Sequence, residues 1–129
     1  MVSYTEVSEG VRAAIAAYNH ALDDGKTDAI VALFCADGTA DLDGVGSFQG
    51  HDALRAAYDQ FKPVVPQRHV ISNTLLTSWG DGEATATSDL LFMTKGDGGW
   101  SIHLVGRYHD TLHHDGDQWR FHHRELRWA

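Results

Sequence analysis

The chain has 129 residues, 43% of them hydrophobic and 22% charged, enough for one domain with its own core but not for two. A formal net charge of −8 argues against nucleic acid as a partner, because holding phosphates needs a basic face. The single cysteine, Cys35, excludes an internal disulfide and a cysteine-based zinc site, and no apolar run is long enough to span a bilayer.

The first residues, MVSYTEVSEG, show no basic segment followed by an apolar run, so no signal peptide is visible and a cytoplasmic location is expected. Val7, Val11, Ala14, Ile15, Tyr18 and Leu22 recur at helical spacing and predict an amphipathic helix from about Thr5 to Asp24. Gly25 is its expected C-terminal stop. Thr27 is the expected N-cap of a short second helix carrying Ile30, Val31, Leu33 and Phe34. Residues 38–49, rich in Gly and Asp, predict two short strands around a turn at Asp43-Gly44. Gly50 opens a third helix containing Leu54, Ala57, Tyr58 and Phe61, which Pro63 and Pro66 end.

The second half reads as strands: His69 to Trp79, Glu83 to Thr94, Trp100 to His113 and Gln118 to Trp128. Gly- and Asp-rich turns separate them at residues 80–82, 96–99 and 115–117. Helices first and an antiparallel meander afterwards predict an α+β fold over residues 1–129, with helices on one face of a curved, mainly antiparallel sheet. Such a sheet, closed at one end by helices, leaves an apolar pocket.

The last hairpin, GRYHDTLHHDGDQWRFHHREL (106–126), is the most informative stretch. Along its first strand Leu104, Gly106, Tyr108 and Leu112 alternate with His103, Arg107, His109 and His113. A three-residue loop would pair Tyr108 with Arg124, and a two-residue turn would pair Arg107 with Arg124. The first is favoured because it joins Leu104, Gly106 and Tyr108 to Arg124, Leu126 and Trp128 on one inner face. Arg107, His103, His109 and His113 then point outward. A metal site among His109, His113, His114, His122 and His123 is not expected, because adjacent strand residues point to opposite faces and no three converge. Asp41 and Asp43, opposite in parity to Ala40 and Leu42, are expected to be exposed rather than catalytic.

The order of elements resembles the nuclear transport factor 2-like superfamily, and within it the SnoaL-like group. Scytalone dehydratase, hexachlorocyclohexane dehydrochlorinase, bile-acid dehydratase and the polyketide cyclases belong to that neighbourhood. The resemblance covers nearly the whole chain. It rests on the Asp23-Asp24-Gly25-Lys26-Thr27-Asp28 junction, the run Leu42 to Gly50, Arg68-His69, Gly106-Arg107-Tyr108, Trp119-Arg120-Phe121 and Arg124. It implies a cone-shaped fold enclosing a pocket.

What the resemblance implies for single residues goes further than the pattern alone. His69, on its own a strand-end histidine bonded to a backbone carbonyl, becomes a general base. An imidazole suits proton abstraction at neutral pH and contributes roughly 10²–10⁴-fold. Asp23, otherwise a solvated residue at a helix end, becomes the carboxylate that fixes the imidazole tautomer. Tyr18 is either core or a hydroxyl that polarises a substrate oxygen. Asp89, sharing a face with Leu91 and Met93, is an expected proton donor whose pKa burial would raise. Arg124 is the expected functional arginine. Tyr108, with Leu42, Leu91, Leu104 and Trp128, is the expected substrate-binding wall. The implied function is a cofactor-independent lyase of the dehydratase kind, acting on a small hydrophobic cyclic molecule. An isomerase, a polyketide-type cyclase or a non-catalytic binding or accessory subunit are the alternatives. The resemblance also implies a homodimer or homotrimer; Trp79, Trp119 and Phe121 are candidate contacts, or core.

Overall fold

Ser3 starts the first helix: its hydroxyl accepts a hydrogen bond from the Glu6 backbone N–H at 3.1 Å, satisfying one donor that a helix start leaves open. The structure, a computed structural model, describes residues 2–129. Helix α1 runs Tyr4–Asp23, and all six predicted stripe residues are buried. Gly25 ends it at φ +69°, where an L side chain would be strained. Its N–H donates to Leu22 O, and that of Lys26 to Ala21 O, the paired bonds of a Schellman ending. Gly10 serves a different need: the indole of Trp119 lies where its Cβ would be. That close approach offsets the roughly 0.5–1 kcal/mol that a glycine costs inside a helix.

Helix α2 is Thr27–Ala32. Lys26, not Thr27, is its N-cap; Thr27 is already helical and buried, with no hydrogen bond to its hydroxyl among the described residues. Phe34, expected on this helix, instead begins strand β1, Phe34–Leu42, with its ring still in the core. Strand β2, Gly46–Gln49, returns antiparallel after the Asp43-Gly44 turn. Helix α3, His51–Asp59, starts after Gly50 and buries Leu54, Ala57 and Tyr58. The four long strands follow: β3 Gln67–Trp79, β4 Glu83–Gly96, β5 Gly99–His114 and β6 Trp119–Trp128. They form one sheet in the order β2-β1-β6-β5-β4-β3, antiparallel except for the β1–β6 pair. The sheet is curved but does not close. The helices cover one face, α1 on β3 and β6, and α3 on β1 and β2.

The β5–β6 register differs from both expectations. Tyr108 lies opposite Leu126, and Asp110 opposite Arg124. Two one-residue slips produce this. The turn holds four residues between His114 and Trp119, with the Asp115 carboxylate accepting from the N–H groups of Asp117 and Gln118. His122 is then an extra residue, left between the pairs Thr111–His123 and Leu112–Phe121. A single slip would exchange the faces of the strand; two restore them. Tyr108, Arg124 and Leu126 therefore still share the inner face, and all are buried.

The faces of β4 are a plainer correction. Ala84, Ala86, Ser88 and Leu90 are buried, so the even positions face the core and Asp89, Leu91 and Met93 face away. Trp119 and Phe121 are core residues at 7% and 0% exposure, which removes both as contacts for another copy. Trp79 is half exposed and meets Tyr4 edge-on. Among the described residues no helix is long and apolar enough to cross a membrane.

Candidate active site

Leu22 from the end of α1, Phe61 beyond α3 and Leu42 on β1 meet the inner sides of β4, β5 and β6 around a cavity of about 310 Å³. Its wall is mostly apolar, including Leu104, Leu126, Phe92 and Trp128. Tyr18, Tyr58, Tyr108, Gln67 and His69 supply the polar atoms that single out a binding pocket from a packing defect. Leu42, Leu104, Tyr108 and Trp128 thus line it as expected. Leu91 does not: its strand parity carries it to the opposite face, and Phe92 takes its place.

Asp23 and His69 meet at one end of this cavity. The junction after α1 and the start of β3 lie side by side, held by three bonds to one carboxylate. Asp23 Oδ1 is 2.6 Å from His69 Nδ1 and accepts from Gln67 Nε2 at 3.2 Å; Oδ2 accepts from the His69 backbone N–H at 2.9 Å. Both side chains are close to buried, at 6% and 11% exposure. Burial alone would push the Asp23 carboxyl up, but the bonds from the His69 ring and backbone outweigh it and hold the group below its usual range. An ionised carboxylate only accepts, so Nδ1 carries a proton, and in the neutral ring Nε2 keeps its lone pair. The ring is stacked at a tilt on Phe92, with centroids 4.6 Å apart.

The far wall is a cluster of phenols over a buried ion pair. Tyr18 and Tyr58 share a hydrogen bond of 2.6 Å between their hydroxyls, at the junction of α1 and α3. Whichever of the two accepts retains its own proton to offer to a ligand. Burial pushes the pKa values of Tyr18, Tyr58 and Tyr108 well above the ordinary phenol range, so all three remain neutral donors.

Arg124 lies behind them. It is fully buried and outside the cavity wall, so the expectation that it sits on the rim is corrected. Its guanidinium carbon is 3.6 Å from the Tyr108 ring centre, 4.2 Å from that of Tyr18 and 4.7 Å from that of Phe121. Such contacts reach about 2 kcal/mol when desolvated. The counter-charge is Asp110, whose Oδ1 is 3.4 Å from Nε. Neither side chain completes a hydrogen bond among the described residues. Burial pushes the Asp110 carboxyl up to about 6 against the pull of Arg124. Burial also works to discharge Arg124, but Asp110 and the phenol rings hold it charged. Of the two, Asp110 is the member that takes a proton as pH falls. Asp110 escaped the sequence reading, although it shares the parity of Tyr108 and Leu112 in an otherwise apolar row.

Asp89 is not in the cavity. It accepts from Arg107 Nε at 2.7 Å and Asn73 Nδ2 at 2.9 Å on the outer face, and these bonds hold its carboxyl below the usual range. A group ionised in this way is no proton donor. Asp43, expected to be exposed, borders the cavity, with its carboxylate accepting from the Trp128 N–H and its carbonyl from the indole. Asp41 is half-buried and accepts from Arg127 at 3.0 Å. Arg107 and His109 are exposed, as their parity predicted, whereas His103 is an extra residue of β5 between the pairs Phe92–Leu104 and Met93–Ile102 and meets the cavity-wall ring of Phe92 edge-on, with centroids 5.6 Å apart. Two of the five histidines, His113 and His122, meet Cys35, which the lone-cysteine argument had set aside as a zinc ligand: donor atoms of the three all lie within 4.8 Å of one another. The bulge leaves His122 and His123 on the same outer face.

The model of the SnoaL-like domain family matches residues 3–125. No curated protein matches the sequence. A solved protein of unknown function from Mycobacterium tuberculosis is 28% identical over 98% of this chain and 73% of its own, with a TM-score of 0.88. An NTF2-like protein with a cystatin-like fold from Novosphingobium aromaticivorans is 25% identical over 95% of this chain and 81% of its own, with a TM-score of 0.86. A protein from the same organism, described as a candidate scytalone dehydratase, is 23% identical over 97% of this chain and 85% of its own, with a TM-score of 0.85. Fold and family together support an enzymatic or small-molecule-binding role.

Proposed function

The chain belongs to the SnoaL-like domain family, and we propose that it is a cofactor-independent lyase of the dehydratase kind, acting on a small hydrophobic cyclic molecule. The observation that carries this reading is the Asp23–His69 pair, 2.6 Å apart and nearly buried at the end of an apolar cavity. A cavity of about 310 Å³ is at the small end of ligand pockets, which suits one or two rings. In the proposed reaction His69 Nε2 takes a proton from a ring carbon, and Asp23 stabilises the imidazolium that forms. The C–H electron pair becomes a C=C bond as the neighbouring C–O bond breaks. Tyr108 and the Tyr18–Tyr58 pair donate hydrogen bonds to the oxygen on which charge develops. With Asp89 on the outer face, the departing hydroxyl takes its proton from the His69 imidazolium, which releases water and restores the base. Arg124 acts from behind, its charge favouring negative charge on the tyrosine oxygens and whatever they hold.

One observation favours a second reading, a non-catalytic binding subunit: once Asp89 is removed, the cavity holds a base but no separate acid. A panel of cyclic alcohols and hydroxyketones separates the two. The lyase reading expects dehydration of at least one panel member by the parent and loss of that turnover, without loss of fold, in His69→Ala. Ligand binding that is unchanged in His69→Ala, with turnover in neither protein, would select the binding subunit.

A further inference from the structure

We infer that Cys35, His113 and His122 form a binding site for one transition-metal ion of the zinc class, on the sheet face away from the cavity. The three residues come from β1, β5 and β6, which are neighbours in the sheet. Each is adjacent in sequence to a core residue, Phe34, Leu112 or Phe121, and therefore points the other way. One donor atom of each lies within 4.8 Å of the other two, and all three residues are partly buried.

Two irregularities bring them together. The β1–β6 register shifts between Phe34 and Thr39, and His122 is the bulged residue of β6. A bulge re-aims a side chain, and here it sets the His122 ring almost parallel to that of His113, with centroids 4.2 Å apart. One sulfur and two imidazole nitrogens form a borderline-to-soft donor set, suited to zinc and copper and poorly suited to magnesium or calcium.

The surroundings fit ligands rather than bystanders. Glu83 Oε2 is 2.9 Å from His113 Nε2, so a proton held there leaves Nδ1 free to ligate, the carboxylate–histidine arrangement that supports metal sites. His122 Nδ1 is buried and has no hydrogen-bond partner among the described residues. Asp37, an exposed carboxylate 3.8 Å from that nitrogen, is within reach as a fourth ligand. Zinc bonds of about 2.0–2.3 Å place tetrahedral donors roughly 3.3–3.8 Å apart. The set therefore needs to draw in by no more than about 1.5 Å, within the reach of side-chain rotation. An ion there would join three strands where both ladders are irregular, remote from the chemistry proposed for His69.

The test is titration of the tag-free chain with Co²⁺, followed by competition with Zn²⁺. The site predicts one Co²⁺ per chain, a thiolate-to-cobalt charge-transfer band and the visible bands of a tetrahedral ion, all displaced by Zn²⁺. Cys35→Ser abolishes the charge-transfer band. His122→Ala weakens binding by roughly 100-fold or more, and Glu83→Gln by roughly 10-fold. His109→Ala, on the same face but outside the cluster, binds like the parent. Circular dichroism of each variant separates loss of the site from loss of fold. No saturable binding at one ion per chain, or a spectrum and affinity unchanged in folded Cys35→Ser, would overturn the inference.

Discussion

Replacing Asp23 with Asn separates the shape of the dyad from its charge. The carboxylate uses both oxygens as acceptors: Oδ1 faces the His69 ring and Gln67, and Oδ2 faces the His69 backbone N–H. An amide has only one oxygen. If that oxygen faces the ring, the NH₂ meets the backbone N–H, donor against donor, and stability falls by about 1–3 kcal/mol. If the nitrogen faces the ring, Nδ1 must accept and the proton moves to Nε2, which blocks the base. In the second state kcat/KM drops on the order of 10³–10⁴-fold, about 4–5.5 kcal/mol of transition-state stabilisation. Side chains at 6% and 11% exposure leave little water to soften either penalty. Two measurements check this: steady-state rates with a turned-over panel substrate, and long-range ¹H–¹⁵N spectra of the imidazole, which report the tautomer. Activity within about tenfold of the parent, with Nδ1 still protonated and no loss of stability in urea unfolding, would refute the reasoning.

Asp110→Ala strands a buried guanidinium and should cost about 3–5 kcal/mol in urea unfolding, whereas the double variant Asp110→Ala/Arg124→Met should recover most of that loss. A pH series isolates the same carboxyl. Its folded pKa of about 6 lies above the unfolded value near 3.9, so the folded state holds the proton longer. Stability from this group is present below about pH 4 and lost as pH rises to about 6, by up to ~3 kcal/mol. The difference between parent and Asp110→Asn across that window should show the slope, and a flat difference would contradict the buried titration. Asp23 works in the opposite sense: its folded pKa is lowered, so its contribution is lost only as pH falls below about 4. Asp89→Asn should leave turnover unchanged, because its partners Arg107 and Asn73 are on the outer face; a large loss of rate would return Asp89 to the mechanism.

Much of this fold is written in local patterns. The α1 stripe, the Gly25 stop and the four long strands follow from spacing and turn chemistry, which are properties of neighbouring residues. The pairing of Asp23 with His69 lay beyond them, because two residues 46 apart meet only through the tertiary fold; the family resemblance supplied it. Register was the weak link. The turn after His114 and the bulge at His122 each add one residue, and nothing local marks the bulge. Their effects on facing cancel, so Arg124 was placed on the correct face with the wrong partner. That error hid both Asp110 and the His113–His122 stack. On β4 the alternation itself was legible, but which phase faced inward was not: Asp89-Leu91-Met93 and Leu90-Phe92 are both plausible inner rows until the sheet is assembled.

Removal of a proton from carbon by His69 is the central step of the proposed reaction, and isotope exchange reads that step whatever group leaves. Incubated in D₂O with a cyclic ketone that binds the cavity, the parent should wash deuterium into the ring position next to the carbonyl, as followed by NMR. His69→Ala should bind the same ketone and leave that position protonated at the solvent background rate. Exchange as fast in folded His69→Ala as in the parent would contradict the claim that this imidazole is the base.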